Sequence, residues 1–385
     1  MKKTLALLLC LCFLFPLFIL PSFAAEKTEE TKNPLSISAR ACVLMEAKTG
    51  KILYAYNETE ALPPASVTKV MTLLLVMRAI ESGKISWEDT VTVSEHAASM
   101  GGSQIFLEVG ETMSVTDMVK SVVIASANDA AVALAEHISG SEEAFVAEMN
   151  RTAAELGMVN THFENTNGLD DTVENHTVSA KDIAIMSREL IRYPKILEYS
   201  STWMDTVRGG AFTLTNTNRL VRFYPGATGL KTGSTARAGF CISATAERDG
   251  VSLIAVIMGA ESRDVRNAEA KKLLDYGFAS YSLYSDERKD IAPIALKGAS
   301  EPSVPLYAET FLCALPKEKL SSVSYQIVLP AFLRAPVKEG DKVGKVEYYL
   351  DGECIGSADI RAANTVEAVT FFEIFSLLLR AFTLG

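Results

Sequence analysis

A chain of 385 residues with 48% apolar and 22% charged side chains is long enough for two domains and a well-filled core. Its formal net charge of -10 argues against nucleic acid as a partner. Mean hydropathy is only mildly positive, at +0.17, which fits two apolar ends on a globular body and excludes a multi-span membrane protein.

Met1-Lys2-Lys3 precedes an apolar run from Thr4 to Phe23, and Ser22-Phe23-Ala24 puts small residues where a signal peptidase reads. The segment is expected to be a secretory signal peptide, residues 1–24, cut after Ala24. An uncleaved anchor is the alternative, because the run is near the length of a membrane span. Loss of Lys2 and Lys3 leaves a more acidic chain. Residues 25–34 read as a polar linker.

Ala39 to Glu46 and Lys51 to Tyr56 form a hairpin about Lys48-Thr49-Gly50. Leu62-Pro63-Pro64-Ala65 stops the strand and leads into a helix from Ser66 to Glu81. That helix is apolar nearly all round, so it belongs at the centre of a domain. Further helices are expected at Ser114–Ala125, Asp129–Ile138, Glu142–Leu156 and Ala180–Arg192, with a loop at Asn167-Gly168 and Asp170-Asp171. Strands follow at Gly229–Thr235, Ala238–Glu247 and Val251–Met258, the last two joined by a turn at Arg248-Asp249-Gly250. A closing helix spans Ala268–Tyr281. Beyond Asp286 short apolar runs are spaced by Pro and Gly, and Lys345–Leu350 with Glu353–Ile360 reads as a hairpin across Asp351-Gly352. Val366–Leu384 reads as one helix. Phe371, Phe372, Phe375, Leu378, Leu379 and Phe382 form its apolar face, and Glu373, Ser376, Arg380 and Thr383 lie opposite.

Three short strings carry the chemistry. Ser66-Val67-Thr68-Lys69 sits at a helix start, Ser126-Ala127-Asn128 between two helices, and Lys231-Thr232-Gly233 on a strand. Ser66 and Lys69 share a helix face. A serine hydroxyl needs a base beside it. Lys69 is that base if burial, a nearby Lys231 and the positive end of the helix keep it neutral. Ser126 is placed to relay a proton between Lys69 and a leaving amine, and Asn128 to bond a substrate peptide carbonyl; both also suit a helix N-cap. Lys231 and Thr232 offer a cation and a hydroxyl to a terminal carboxylate, with Lys231 expected to serve that carboxylate more than proton transfer. Gly233 leaves room for a substrate backbone to lie along the strand. The N–H groups of Ser234 and Ser66 would then form an oxyanion hole.

Together the strings are the pattern of β-lactamases and penicillin-binding proteins. From about Leu35 to its C-terminus the chain closely resembles the serine-type D-alanyl-D-alanine carboxypeptidases, the low-molecular-mass penicillin-binding proteins. The resemblance implies an α+β catalytic domain of the β-lactamase/transpeptidase type, an antiparallel sheet flanked by helices, over residues 35–288. It also implies a small all-β domain (289–363) and a C-terminal amphipathic anchor (364–385) on the membrane surface. Arg266 matches the arginine that helps hold the substrate carboxylate, with Arg263 a neighbouring competitor. The substrate implied is a peptidoglycan pentapeptide, with β-lactam antibiotics as acylating inhibitors and no metal or organic cofactor. The place implied is the outer face of the bacterial cytoplasmic membrane.

Competing readings lack their residues. His96, His137, His162 and His176 are far apart with no H-E-x-x-H, which speaks against a zinc carboxypeptidase; His176 is expected to be structural. No G-x-S-x-G elbow exists. Glu164 and Glu174 lie where a class A β-lactamase keeps its deacylating glutamate, but the usual E-x-x-L-N string is absent. A D,D-transpeptidase shares the same acyl-enzyme and stays open as an alternative, while a non-enzymatic penicillin-binding scaffold predicts a defect in one of the three strings and none is seen. Cys42, Cys241, Cys313 and Cys354 show no C-x-x-C spacing, and Cys42 and Cys241 read as buried thiols.

Overall fold

The computed structural model describes residues 33–383, so the expected signal peptide and nearly all of the linker lie outside the described residues. Five antiparallel strands form the central sheet, in the order Ile52–Tyr56, Ala41–Glu46, Val251–Ala260, Gly239–Arg248 and Ala227–Thr235. The N-terminal hairpin therefore joins strands from the far end of the fold, and the helices between Tyr56 and Ala227 are inserted in between. Strand Ala41–Glu46 is buried along its whole length. Its alternate residues serve two cores: Ala41, Val43 and Met45 face the inserted helices, while Cys42 and Leu44 face Leu273 and Leu274. Such two-sided burial gives a strand a continuous apolar run rather than an alternating one.

The helix after the proline pair starts differently from expectation. Ala65–Thr68 is a 3-10 turn, and the α-helix runs Lys69–Glu81. Ala65 has φ +48, so the chain leaves Pro63-Pro64 through a left-handed residue and tightens before it can adopt α geometry. Its residues Val70 to Met77 are all buried, as the all-round apolar pattern requires. The predicted helix at Ser114–Ala125 divides into an α-helix, Val115–Lys120, and a π-helical turn, Ser121–Ala125. The closing helix is longer than expected, Arg263–Ser280, and starts where the Ser262 hydroxyl accepts from Val265 N at 3.2 Å. That cap was missed because charged residues fill the first turn.

Both predicted Asp-Gly hairpins form, with left-handed backbone at Asp249 and Gly250 and at Asp351 and Gly352; paired positive φ angles match the twist of the flanking strands. The C-terminal part builds a six-stranded sheet with its own core around Val304, Val346, Tyr348 and Ile360. Strand Tyr281–Asp286, continuing from the closing helix, pairs with Phe311–Pro316. The last helix begins at Phe371 rather than at Val366. Val366 is buried and bridged to Val337, and Thr370 with Glu373 forms a reciprocal cap: Glu373 Oε2 accepts from Thr370 N at 2.7 Å. Cys42, Cys241, Cys313 and Cys354 are all free thiols.

Candidate active site

A cleft of about 560 Å³ opens where the serine turn meets the edge strand Ala227–Thr235, lined among others by Ser66, Ser126, Thr232, Gly233, Ser234 and Arg266. In a 3-10 turn residues i and i+3 eclipse, which aims Lys69 back at Ser66. Lys69 Nζ donates to Ser66 Oγ at 3.0 Å and to the carbonyl of Asn167 at 2.8 Å. Lys69 is fully buried, and its pKa is driven well below the usual lysine value by desolvation and then by the charge of Lys231; Asp129 opposes weakly. Two of the three causes expected from the sequence, burial and Lys231, are present. The Asn167 carbonyl is a partner that sequence reasoning left as a mere loop break.

Ser126 lies in the left-handed region, φ +65, between the π-helical turn and the helix Asn128–Ser139. It does not cap that helix; Ala127 occupies the cap position without a side-chain bond. Ser126 Oγ accepts from Lys231 Nζ at 2.8 Å, so its partner is Lys231 where Lys69 was expected. Lys231 also donates to Thr232 O at 3.0 Å. Burial, then the charge of Arg266, pushes its pKa down to about 7. Lys231 is thus a titrating group beneath the cleft wall as well as a cation.

Asn128 differs from its assigned place. It is 1% exposed, is absent from the cleft wall, and its Nδ2 donates to Gly101 O at 2.7 Å. As the first residue of its helix it is tucked beneath the 101–103 loop, where Asn128 N also donates to Ser103 O at 2.7 Å. Gly233 lines the cleft and also has a packing reason for lacking a side chain. A Cβ there would stand 2.7 Å from Ser66 N and 2.9 Å from Pro64 O and Val67 N, so the bare strand lets the serine turn pack against it. That contact sets Ser66 N beside the strand that carries Ser234.

Arg266 is 3% exposed on the first turn of its helix, with Nε and Nη2 held by Asn267 Oδ1 at 3.1 and 2.9 Å. Burial and the nearby Arg263 lower its pKa to about 10, which leaves it charged at neutral pH. Arg263 and Arg219 also line the cleft. Sequence reasoning missed the far wall, formed by Trp203, Thr215, Asn216, Thr217, Arg219 and Phe223. The run Asn216-Thr217-Asn218 was its one signal: Asn218 Nδ2 donates to Gly229 O at 2.7 Å, and Thr217 meets Thr232 through their hydroxyls at 2.8 Å. No aspartate or glutamate lines the cleft among the described residues. Glu174 is exposed, and Glu164 accepts from Asn175 N at 2.9 Å.

The family model described as D-alanyl-D-alanine carboxypeptidase matches residues 26–262, and that of the penicillin-binding protein 5 C-terminal domain matches 278–368. D-alanyl-D-alanine carboxypeptidase DacF of Bacillus subtilis is 41% identical over 378 residues, covering 96% of each chain. DacC of Escherichia coli is 35% identical over 94% of this chain and 91% of its own. Among solved structures, penicillin-binding protein 5 of Haemophilus influenzae superposes with a TM-score of 0.77 at 36% identity, over 86% of this chain and 98% of that one. Penicillin-binding protein D2 of Listeria monocytogenes in its ampicillin-bound form gives 0.58 at 33% identity, over 63% of this chain and 99% of that one.

Proposed function

The chain belongs to the D-alanyl-D-alanine carboxypeptidase family, and from that membership we propose the reaction its cleft performs. The enzyme is a serine hydrolase that removes the terminal D-alanine from peptidoglycan pentapeptide stems. Ser66 attacks the carbonyl between the two D-alanines, and neutral Lys69 takes the hydroxyl proton. The amides of Ser66 and Ser234 receive the oxyanion. As the C–N bond breaks, the leaving amine takes a proton from Ser126, which Lys231 resupplies. Water then occupies the place of the amine and runs the sequence backwards. Its proton passes to Ser126 and Lys231, and Lys69 returns its own to Ser66. Each lysine thus ends in the state in which it began. Thr232 and Arg266 hold the substrate carboxylate, the role that the sequence reading gave first to Lys231, whose buried amine is instead bonded to Ser126 Oγ. The observation that carries this reading is the buried Lys69 amine 3.0 Å from Ser66 Oγ. Incubation with a peptide ending in D-Ala-D-Ala should release free D-alanine, and a folded protein that releases none would refute it.

Penicillins and other β-lactams acylate Ser66 in the same way, since they present a carboxylate and a strained amide to the same groups. The lack of a cleft carboxylate supports a long-lived adduct over the β-lactamase alternative. The catalytic domain ends with the helix at Ser280, and the small β domain runs from Tyr281 to about Thr370. It starts earlier and ends later than expected from the sequence, because Tyr281–Asp286 pairs with Phe311–Pro316 and Val366 is buried in the β core. The enzyme acts outside the cytoplasmic membrane, on which its last helix lies. Support for that placement is the exposure of Phe371 (74%) and Phe372 (78%), with Ile374, Phe375, Leu378 and Leu379 also exposed, while Glu373, Ser376 and Arg380 line a groove against Ala299 and Ser300. No described helix is long and apolar enough to cross a membrane, as suits a helix lying in the interface.

A further inference from the structure

Behind the serine turn sits a buried imidazole that the proposed reaction does not use. His176 is 3% exposed and packs edge-on against Phe163. The N–H of Glu164 lies 3.0 Å from its Nδ1; a backbone N–H only donates, so Nδ1 is the acceptor. In a neutral ring the proton then sits on Nε2, 2.8 Å from Thr68 Oγ1. The Thr68 hydroxyl donates onward to Ala65 O at 2.8 Å. Burial pushes the ring's pKa down to about 4, with His162 and Lys69 adding to the effect, so the neutral ring is the form present near pH 7. The donors therefore run one way, from Glu164 through His176 and Thr68 to Ala65.

Both ends of this chain matter to the chemistry. Ala65 directly precedes the nucleophile and holds φ +48, a left-handed conformation that is strained for a residue with a Cβ and survives where neighbours enforce it. Glu164 opens the segment in which Thr166 O accepts the Thr72 hydroxyl and Asn167 O holds the Lys69 amine. Gly168, in the same segment, leaves no space for a Cβ beside Ala65 O and Thr68 Oγ1. One ring thus ties the turn that carries Ser66 to the segment that carries the lysine's carbonyl partner.

We infer that His176 is a positioning residue, whose Nε2–H acts through the Thr68 hydroxyl to register the Ser66 turn against the Asn167 carbonyl. This rests on the reading of Ser66 as nucleophile and Lys69 as its base. His176 touches neither substrate nor the reacting atoms, so its effect falls on the rate of bond formation and leaves binding nearly intact.

The two ring nitrogens are separable by substitution. His176→Gln places an amide N–H near the position of Nε2 and keeps the bond to Thr68. His176→Asn places a carbonyl near Nδ1, keeps the bond to Glu164 and no longer reaches Thr68. The full-length protein is acylated by penicillin under stopped flow, with the saturating rate constant and the apparent binding constant extracted separately and normalised to the folded fraction. His176→Asn and His176→Leu should lose about tenfold or more in the saturating rate constant, with binding changed by less than about threefold, and His176→Gln should recover most of the loss. Thr68→Val should reproduce the loss, and combining it with His176→Leu should add little. Wild-type rates in the Asn and Leu variants, better recovery by Asn than by Gln, or fully multiplicative losses in the double variant would each overturn the inference. If His176→Leu fails to fold, Thr68→Val alone carries the same expectation. Ser66→Ala reports separately on the nucleophile: an adduct persisting there would sink the proposed reaction and not merely the role of His176.

Discussion

Lys231 Nζ stands 2.8 Å from Ser126 Oγ, joining an edge strand to a loop at the far side of the cleft. With Lys69 on Ser66 at 3.0 Å, the cleft holds two separate serine–lysine pairs. In the reaction proposed above, the first makes the acyl bond and the second handles the proton of whatever leaves or enters.

The second pair should behave as one unit. Ser126→Ala and Lys231→Met are each expected to lower the acylation rate by about 10²–10³-fold, a usual range for lost acid–base groups. The double variant should fall no more than about tenfold below the worse single. A double-mutant cycle on penicillin acylation measures this, and full additivity would separate the two residues.

Lys231 should also leave a mark on stability. Its folded pKa is lowered from 10.5 to about 7. Between those values the unfolded chain binds more protons than the folded one, so stability rises with pH across that window. Below about pH 7 the burial of Lys231 is fully destabilising. Lys231→Met should therefore raise Tm at pH 7 by on the order of 5 °C, and the gain should shrink as pH approaches 10. Calorimetry at several pH values gives the comparison, and a pH-independent gain would mean that the lysine is not desolvated.

The acyl-enzyme should persist. Intact-protein mass spectrometry after a penicillin pulse should show one adduct that lasts for at least minutes, against the roughly millisecond turnover of a fast hydrolase. Ser66→Ala should carry none. Rapid release of hydrolysed penicillin would favour a β-lactamase.

Gly233→Ala tests the packing of the strand against the serine turn. The new Cβ would meet backbone atoms of Ser66, Pro64 and Val67 at 2.7–2.9 Å, and backbone cannot swing aside as a side-chain tip can. Overpacking of this kind costs about 1–3 kcal/mol. A displaced nucleophile loses about 10²-fold in rate. Acylation kinetics and Tm should fall together, whereas a loss confined to substrate affinity would restore the reading in which Gly233 serves substrate access.

Removal of the last helix should be cut at Thr370. Val366 is buried against Val337, and Val369 N donates to Gly298 O at 3.0 Å, so a cut after Asn364 would unpick the β sheet. A chain ending at Thr370 should keep its Tm and carboxypeptidase rate and no longer sediment with lipid vesicles. Undiminished sedimentation would place the membrane contact elsewhere.

Much of this was legible in the residues because it is local. The two Asp-Gly turns, the apolar helix after Pro63-Pro64 and the three motif strings each declare themselves within a few positions. What stayed hidden depends on approach between distant segments. Nothing near Asn167 announces that its carbonyl will hold Lys69. Ser126 has the same neighbours in sequence whether Lys69 or Lys231 bonds it. Gly233 reads as an open surface until the backbone of Ser66 is seen against it. The far wall around Trp203 and Thr217 comes from a stretch with short elements and weak periodicity. Only the polar run Asn216-Thr217-Asn218 hinted that its side chains would be spent holding backbone together.

The helix Arg263–Ser280 has a mechanical consequence. It begins at the arginines of the cleft and passes at Tyr281 straight into the strand that pairs with Phe311–Pro316, with no hinge between. Eighteen helical residues make a strut of about 27 Å. Lys317 Nζ grips the carbonyl of Phe278 near its end at 2.7 Å, and Lys51 Nζ braces Ala314 O at 2.9 Å. A force applied to the β sheet, whether from lipid, from the wall or from a neighbouring protein, would arrive as torque on Arg266 instead of being absorbed by a swivel.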